Sequence, residues 1–382
     1  MNRPLRIAIV GYGLAGIAAA IGLRRLGHTI DHFERRDAVG LDGAGLLLQP
    51  PALALLADLG LGECALALGA RVSAFGAENL SGKTLTHIRY ADHAAGSYAL
   101  GIQRNHLIAC MGDFDSGRER LFLSRRIASI DPERGMLHAV EATICGPYDL
   151  IVVADGANSP LRKNFADRVK RDHPYPTAAA VACIDDPQNL AGDRLMQYFD
   201  GTRHVAVWPV GRCSADAPPR VNVSINIDLE RAQAFCDSGA WRNVAARHCP
   251  HLAALLHNDS GVTPIVYRYR DVAMHRLTAG RAVIIGDAAH SMSPLLGQGA
   301  RMALLDAATL VQALRRHADL QGALAYFDRT SRANTQRLQT ISRWLTPVFQ
   351  SENHLSASVR EVVQFAHHLP FIAAKARALL IG

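Results

Sequence analysis

Three short turns rich in glycine and aspartate are where this chain of 382 residues could do chemistry. The first is Gly11-Tyr12-Gly13-Leu14-Ala15-Gly16, which follows an apolar run and opens a stretch of Ala and Leu at helical spacing. In such a turn Gly11 permits the tight bend, Gly13 lets a pyrophosphate approach the backbone, and Gly16 lets helix and strand pack closely. The free N–H groups and positive end of a helix starting at Leu14 and Ala15 would face the phosphates. Glu34 closes the next strand, where a carboxylate can accept both hydroxyls of an adenosine ribose and discourages a 2′-phosphate. Arg35 lies along the adenine or is a plain surface charge.

The second turn is Asp155-Gly156, at the end of another apolar run; it faces a ligand or is a solvated Asp-Gly turn. Arg162 steadies that turn or meets an anion, and Arg104, just before a helix, could balance pyrophosphate charge. The third runs from Gly286-Asp287 to Gly297-Gln298-Gly299-Ala300. Asp287 could bond a ribityl or ribose hydroxyl. The helix opening at Gly299 and Ala300 could stabilise negative charge at the N1–C2=O edge of a flavin. Pro294 and the small residues around it let a flat ring lie against backbone. His290 sits inside this loop rather than beyond it, which favours a structural role over that of a general base. Two glycine hinges at opposite ends of one chain suit a single long ligand gripped twice. A nicotinamide dinucleotide normally needs only the first grip, whereas a flavin adenine dinucleotide held along its length needs both.

The elements that must carry these turns are legible. Leu5–Val10, Thr29–Phe33, Asp149–Ala154 and Ala282–Ile285 read as buried parallel strands, and Leu14–Leu26 as the helix between the first two, stopped by Gly27. Residues 52–62, 106–111, 230–237 and 240–257 read as helices, and 72–102 as short β structure. Runs at 178–184, 195–199, 204–210 and 221–227 read as an antiparallel sheet, with Tyr267–Arg270 a later strand. Ala300–His317 and Leu320–Leu345 read as two long helices; within the tail, Ser356–Phe365 and Ile372–Ile381 are helix candidates. The expected fold class is α/β: a Rossmann-like FAD-binding domain interleaved with a mixed or antiparallel β-sheet substrate domain, then C-terminal helices. The expected division is 1–72, 100–176 and 270–345 for the discontinuous nucleotide domain, 73–99 and 177–269 for the β-rich substrate domain, and 346–382 for the tail. That tail packs as a lid, or serves as an oligomer or membrane-surface helix.

Composition narrows the class further. No apolar stretch approaches the roughly 20 residues of a spanning helix, and Gly11, Gly13 and Gly16 interrupt the run that would otherwise resemble a secretory signal. The net charge of +7 favours anionic ligands, but the basic residues are dispersed and form no aromatic-interleaved nucleic-acid patch. Seven scattered cysteines without a Cys-x-x-Cys or Cys/His cluster predict reduced thiols in a cytoplasmic setting and neither a disulfide framework nor a metal site.

With the three turns in this order, the chain resembles the class A flavoprotein monooxygenases, the family of para-hydroxybenzoate and salicylate hydroxylases. The matching stretches are 7–34, Arg104, 152–162 and 286–307, and Gly43-Ala44-Gly45 resembles the family's small-residue segment beside the flavin. The resemblance, over roughly residues 1–345, implies hydroxylation of an aromatic or related cyclic small molecule. NADH or NADPH reduces FAD, O2 gives a C4a-hydroperoxyflavin, and its distal oxygen attacks the ring. Side chains chiefly exclude water and orient substrate. Arg301 and Leu305 stand where many members carry Asn and Glu, so the helix after the Gly297-Gln298-Gly299 loop could pack differently.

The segment Leu46-Leu47-Leu48-Gln49-Pro50 offers no ionisable group to activate a phenol. A pocket lined by it and the 195–210 strands would be apolar. Leu47, Gln49, Tyr198, His204 and Trp208 are candidate substrate contacts, or they fill the core between sheet and flavin. No catalytic side chain and no oligomeric state can be assigned from sequence. Two other readings remain open. One is a reductase, dehydrogenase or halogenase of the same fold, although the halogenase segment Trp-x-Trp-x-Ile-Pro is absent. The other is a flavin-binding protein whose output is a partner interaction.

Overall fold

The computed structural model describes residues 3–40, 43–112, 117, 119–200, 203–258 and 261–350. The tail beyond Gln350, with its two expected helices, lies outside the described residues.

A six-stranded sheet carries all three turns. Arg6–Val10 lies at its heart, flanked in parallel by Thr29–Phe33 and Leu150–Val153; Glu119–Phe122 extends one side and Ala282–Ile284 the other. Both faces of these strands are covered, so they read as near-continuous apolar runs. The register aligns Val10 with Phe33 and Val153, and Val153 with Ile284. Gly11, Glu34, Asp155 and Gly286 therefore leave the sheet along one carboxyl edge, at the crevice where open α/β sheets bind ligands. The helix Leu14–Arg25 is buried through its whole first three turns, sandwiched between the sheet and the helix Gly299–Arg316.

A seven-stranded sheet makes the second layer. Its order is Ile265–Met274, Val169–Asp185, Arg220–Asp228, His204–Pro209, Arg194–Phe199, Ala74–Asn79 and Thr84–Arg89, antiparallel except where Arg194–Phe199 runs parallel to Ala74–Asn79. Strict alternation divides its faces. Met196, Tyr198, Val205, Val207, Val223 and Ile225 pack under Trp241, Leu252 and Leu256 from the covering helices. The opposite face, with Gln197, His204, Ala206, Trp208, Ser224 and Asn226, looks toward the first sheet. A three-stranded sheet of Gly45–Leu48, Ala99–Gln103 and Ala70–Val72 bridges the two layers. Its Gly101 packs so closely that an added Cβ would stand 1.8 Å from the Pro209 carbonyl oxygen.

Several expectations need correction. The helix expected over 240–257 is two, Ala240–His248 and Ala253–Asn258, split by the turn Pro250–Leu252, because Pro250 has no N–H to continue the ladder. The helix at 52–62 instead spans Pro50–Asp58, ends before Gly60 at φ +71°, and is followed by Gly62–Leu68. The thiols are not all reduced. Cys64 and Cys110 form a disulfide with Cα atoms 5.7 Å apart, while Cys145, Cys183, Cys213, Cys236 and Cys249 are free. The pair is invisible in sequence spacing because it joins two helices, Gly62–Leu68 and Arg104–Met111, that meet only in the fold. Among the described residues no helix is long and apolar enough to cross a membrane.

Candidate active site

One cavity of about 440 Å³ lies between the carboxyl edge of the first sheet and the inner face of the second. At one end it is bounded by Gly13, Leu14, Ala15 and Arg104, and along its length by Gly45, Gly156, Asp287, Pro294, Gly297, Gly299 and Ala300. At the far end stand Leu47, Gln49, His204 and Trp208. Of the expected ligand residues, Gly11, Gly16, Glu34, Arg35, Asp155, Gly286 and Gln298 do not line it directly, and most of these shape or brace its wall.

Gly11 adopts φ +107°, and a Cβ there would stand 2.3 Å from the Ala154 carbonyl oxygen. Gly16 abuts the Gly11 carbonyl at 2.1 Å in the same sense. The Gly11 carbonyl is also held from behind by His32 Nε2 at 3.0 Å, whose Nδ1 meets Glu119 at 3.0 Å, with Arg24 Nε 3.2 Å from the other Glu119 oxygen. Sequence reading missed this buried trio, because its members lie on three separate elements. Glu34 accepts the Tyr12 and Arg36 backbone N–H groups at 2.8 and 3.0 Å, so it shapes the first turn as well as ending its strand. Arg35 is exposed.

Arg162 is the link between the second and third turns. Its guanidinium donates to the Ala157 and Ala288 carbonyls at 2.5 and 2.6 Å and to Asp172 at 2.9 Å, and is itself buried. This is the turn-steadying alternative, not anion capture. Arg162→Lys keeps the charge but loses the planar fork. It is expected to cost about 2–3 kcal/mol, read as a lower denaturation midpoint, with weaker flavin retention because two walls of the cavity lose their common anchor.

In the third turn the hub is Asp306, on the helix Gly299–Arg316 and 2% exposed. It accepts the Gly286 N–H at 2.8 Å, His290 Nε2 at 2.6 Å and the Ser331 hydroxyl. Burial pushes the His290 pKa down, but Asp306 and then Asp287 outweigh it, and the net direction is up. His290 is thus engaged in structure, as its place inside the loop suggested. Gln298 immediately precedes the helix and accepts from Arg301 at 3.2 Å, so Arg301 folds back on the loop while the helix runs on unbroken to Arg316.

The substrate end carries one correction. Tyr198 faces the covering helices, its phenol pushed up by burial, and not the cavity; Gln197, on the other face of the same strand, takes its place. A one-residue offset moves a strand side chain to the other face. Asn222, Ser224 and Asn226 were also missed, although Val-Asn-Val-Ser-Ile-Asn-Ile at 221–227 alternates strictly and so signals a polar row on one face. Asn222 Oδ1 accepts the Gly45 N–H at 2.8 Å and fixes the segment beside the cavity.

The residues present fit an extended flavin nucleotide. A Cβ on Gly156 or Gly299 would meet nothing within 4 Å, and one on Gly13 only Arg104 Nη2 at 3.8 Å, so these glycines front open space rather than packed protein. Asp155 is buried beside the cavity, where burial raises its pKa against the opposing hydrogen bonds of Ser159 and the Leu161 backbone.

The fold and this site define a class A flavoprotein monooxygenase, and comparison with known proteins agrees. A family model described as FAD binding domain matches residues 5–344, and the chain belongs to that family. It is 29% identical over 348 residues to a putative 2-heptyl-3-hydroxy-4(1H)-quinolone synthase of Rhodococcus erythropolis, covering 88% of this chain and 86% of that one. To 3-amino-4-hydroxybenzoate 2-monooxygenase of Streptomyces cremeus it is 29% identical over 329 residues, covering 82% and 79%. The solved structure of Klebsiella pneumoniae HpxO with FAD and uric acid superposes with a TM-score of 0.83 at 20% identity, covering 99% of this chain and 97% of that one, a likeness of fold.

Proposed function

We propose that this protein hydroxylates an aromatic or related cyclic small molecule, using FAD, O2 and NADH or NADPH. The balance is R–H + O2 + NAD(P)H + H⁺ → R–OH + NAD(P)⁺ + H2O. The observation that carries this reading is the continuity of one cavity from a dinucleotide turn at Gly13 to an aromatic end wall at Trp208. The relatives named for quinolone and hydroxybenzoate chemistry support the reaction class. Bound FAD would supply the electron transfer and the activation of oxygen.

The chain's own residues bind, orient and exclude water. In this reading the Gly11–Gly16 turn and Arg104 hold the pyrophosphate, Glu34 the adenosine ribose, and Asp287 a ribityl hydroxyl. The helix opening at Gly299 and Ala300 faces the flavin carbonyl edge with its free N–H groups. Leu47, Gln49, His204 and Trp208 contact substrate. We keep the division into a discontinuous nucleotide domain and a β-rich substrate domain. Dependence on NAD(P)H favours a cytoplasmic location, which the five free thiols accommodate and the Cys64–Cys110 bond does not by itself require.

The test is stopped-flow reduction of the FAD-loaded protein by NADH and by NADPH across a panel of cyclic ligands, with O2 uptake and product mass. A ligand that accelerates reduction and returns one oxygen heavier is the expected result. NAD(P)H oxidation that is indifferent to O2 would make the protein a reductase, and no reduction with any ligand would leave a flavin-binding protein without turnover.

A further inference from the structure

The segment Gly43–Gly45 is held from two sides. On one side the Ala44 carbonyl accepts the Arg104 N–H at 2.9 Å, and Gly45 pairs with Gln103 in the bridging sheet. On the other, two side chains of the seven-stranded sheet reach across to it. Asn222 Oδ1 accepts the Gly45 N–H at 2.8 Å, and the Cys183 thiol donates to the Gly43 carbonyl at 2.9 Å. Cys183 and Asn222 stand opposite each other on adjacent strands, with the thiol 3.4 Å from Asn222 Oδ1. One cross-strand pair thus takes a carbonyl and an N–H from the two residues flanking Ala44.

The chemistry of the pair suits a clasp. Asn222 is fully buried, so its carbonyl has no water to replace the Gly45 N–H. Burial pushes the Cys183 thiol up to about 11, so at physiological pH it remains an S–H donor. A Cβ on Gly45 would stand 2.6 Å from Asn222 Oδ1, so the amide can come this close only to glycine. Ala44 and Gly45 line the cavity, and Leu46, Leu47 and Gln49 continue the same wall. That wall ends at the third turn, where a Cβ on Gly297 would lie 3.8 Å from Gln49 Nε2. The clasped residues therefore occupy the stretch between Arg104 and the Gly297 loop, while Cys183 and Asn222 themselves stand behind the lining.

Resting on the FAD reading of this cavity, we propose that Cys183 and Asn222 are positioning residues that hold the Gly43–Gly45 wall against the flavin ring. They touch neither cofactor nor substrate and act through the backbone of the segment they grip. Cutting the clasp leaves the Gly45 N–H without its acceptor and loosens the wall where water has to be kept out. The Gly11–Gly16 turn belongs to the other sheet, so the adenosine grip is untouched. The substrate sheet thereby sets how closely the ring is enclosed, although the nucleotide is anchored elsewhere.

The test compares Asn222→Ala, Cys183→Ala and Cys183→Ser with the wild type, each loaded with FAD and free of NAD(P)H and substrate. Iodide quenching of the flavin fluorescence reads exposure of the ring. Titration of the flavin-stripped proteins with ADP reads the adenosine grip. Both alanine variants should raise the quenching constant about threefold or more, the factor that one lost hydrogen bond allows. Their ADP affinity should stay within about twofold of wild type, since the two sites are independent. Cys183→Ser should restore the shielding, because a hydroxyl donates to the same carbonyl, whereas a thiol that merely fills space would leave serine no better than alanine. If Asn222→Ala fails to fold, the two Cys183 variants decide the matter. Unchanged quenching in the alanine variants, serine no better than alanine, or ADP affinity lost along with the shielding overturns the proposal. Shielding that follows the clasp in a protein that hydroxylates no cyclic ligand would overturn the monooxygenase reading and leave the clasp standing. Hydroxylation by a protein whose ring exposure ignores both residues would do the reverse.

Discussion

Asp306→Asn is expected to lower stability by roughly 3 kcal/mol or more, the range for breaking one side of a buried ion pair, and to weaken FAD retention with it. The carboxylate is fully enclosed and serves three donors at once, the Gly286 N–H, His290 and Ser331. An amide oxygen can still take the Gly286 N–H and His290, but it lacks the charge that pairs the imidazolium, and its NH2 forces the Ser331 hydroxyl to turn from donor to acceptor. Gly286 sits at φ +61° at the mouth of the last strand, so a slack hydrogen bond there moves Asp287 with it. His290 decides the pH dependence. Its pKa is raised in the folded state despite burial, because Asp306 lies beside it. The pair's contribution is therefore complete below the ordinary histidine value of 6.5 and is lost as pH rises through the higher folded value. In Asp306→Asn the largest support for the imidazolium is gone, only Asp287 and a backbone hydrogen bond still oppose burial, and that slope should flatten. Urea denaturation of both proteins from acid to mildly alkaline pH checks the loss and its slope. Ser331→Ala, which removes only one partner of the hub, should cost about 1 kcal/mol.

Gly11→Ala should be strongly damaging to the first glycine turn. Its φ of +107° is one that L residues rarely adopt, and the new Cβ would stand 2.3 Å from the Ala154 oxygen and 2.8 Å from the Asp155 Cα. Neither neighbour can yield cheaply, because the Ala154 N–H is bonded to the Val10 carbonyl at 2.8 Å within the sheet edge. Strain and lost packing together should cost about 2–4 kcal/mol, with FAD affinity down tenfold or more. Gly13→Ala makes the contrast. Its Cβ would meet only Arg104 Nη2 at 3.8 Å, so the fold should melt near the wild-type temperature while FAD binding still falls, the methyl group occupying the approach to the backbone. Thermal melts and FAD titrations of the two variants separate a turn that needs glycine for its own geometry from one that needs it for the ligand.

The sequence was most legible where one residue type has one physical reason to be present. Gly11, Gly16 and Gly286 announce their turns because no other residue fits, and the flanking apolar runs fall within a residue or two of the observed strands. The partners of those turns were harder to see. Arg162, Asp306 and His32 act on glycines far away in the chain, and an isolated Arg, Asp or His carries no mark of the carbonyl or N–H it will meet. The Cys64–Cys110 pair was hidden for the same reason. At the substrate end the strand expected at 195–199 spans Arg194–Phe199, and it turns Gln197 rather than Tyr198 toward the cavity. The alternation of Leu195, Gln197 and Phe199 against Met196 and Tyr198 already contained the answer, once the covering helices at 232–258 were assigned to one face. The row Asn222, Ser224 and Asn226 was legible by that same alternation.

The central claim is that one FAD molecule is held from its adenosine end at the Gly11–Gly16 turn to its ring at the Gly297–Gly299 loop. Reconstitution of the flavin-stripped protein with FAD, FMN and riboflavin in parallel tests it most directly. The account predicts a yellow protein with one FAD per chain, bound far more tightly than FMN or riboflavin because the adenosine grip contributes. A protein that stays colourless with FAD, or that takes FMN as readily, would contradict it.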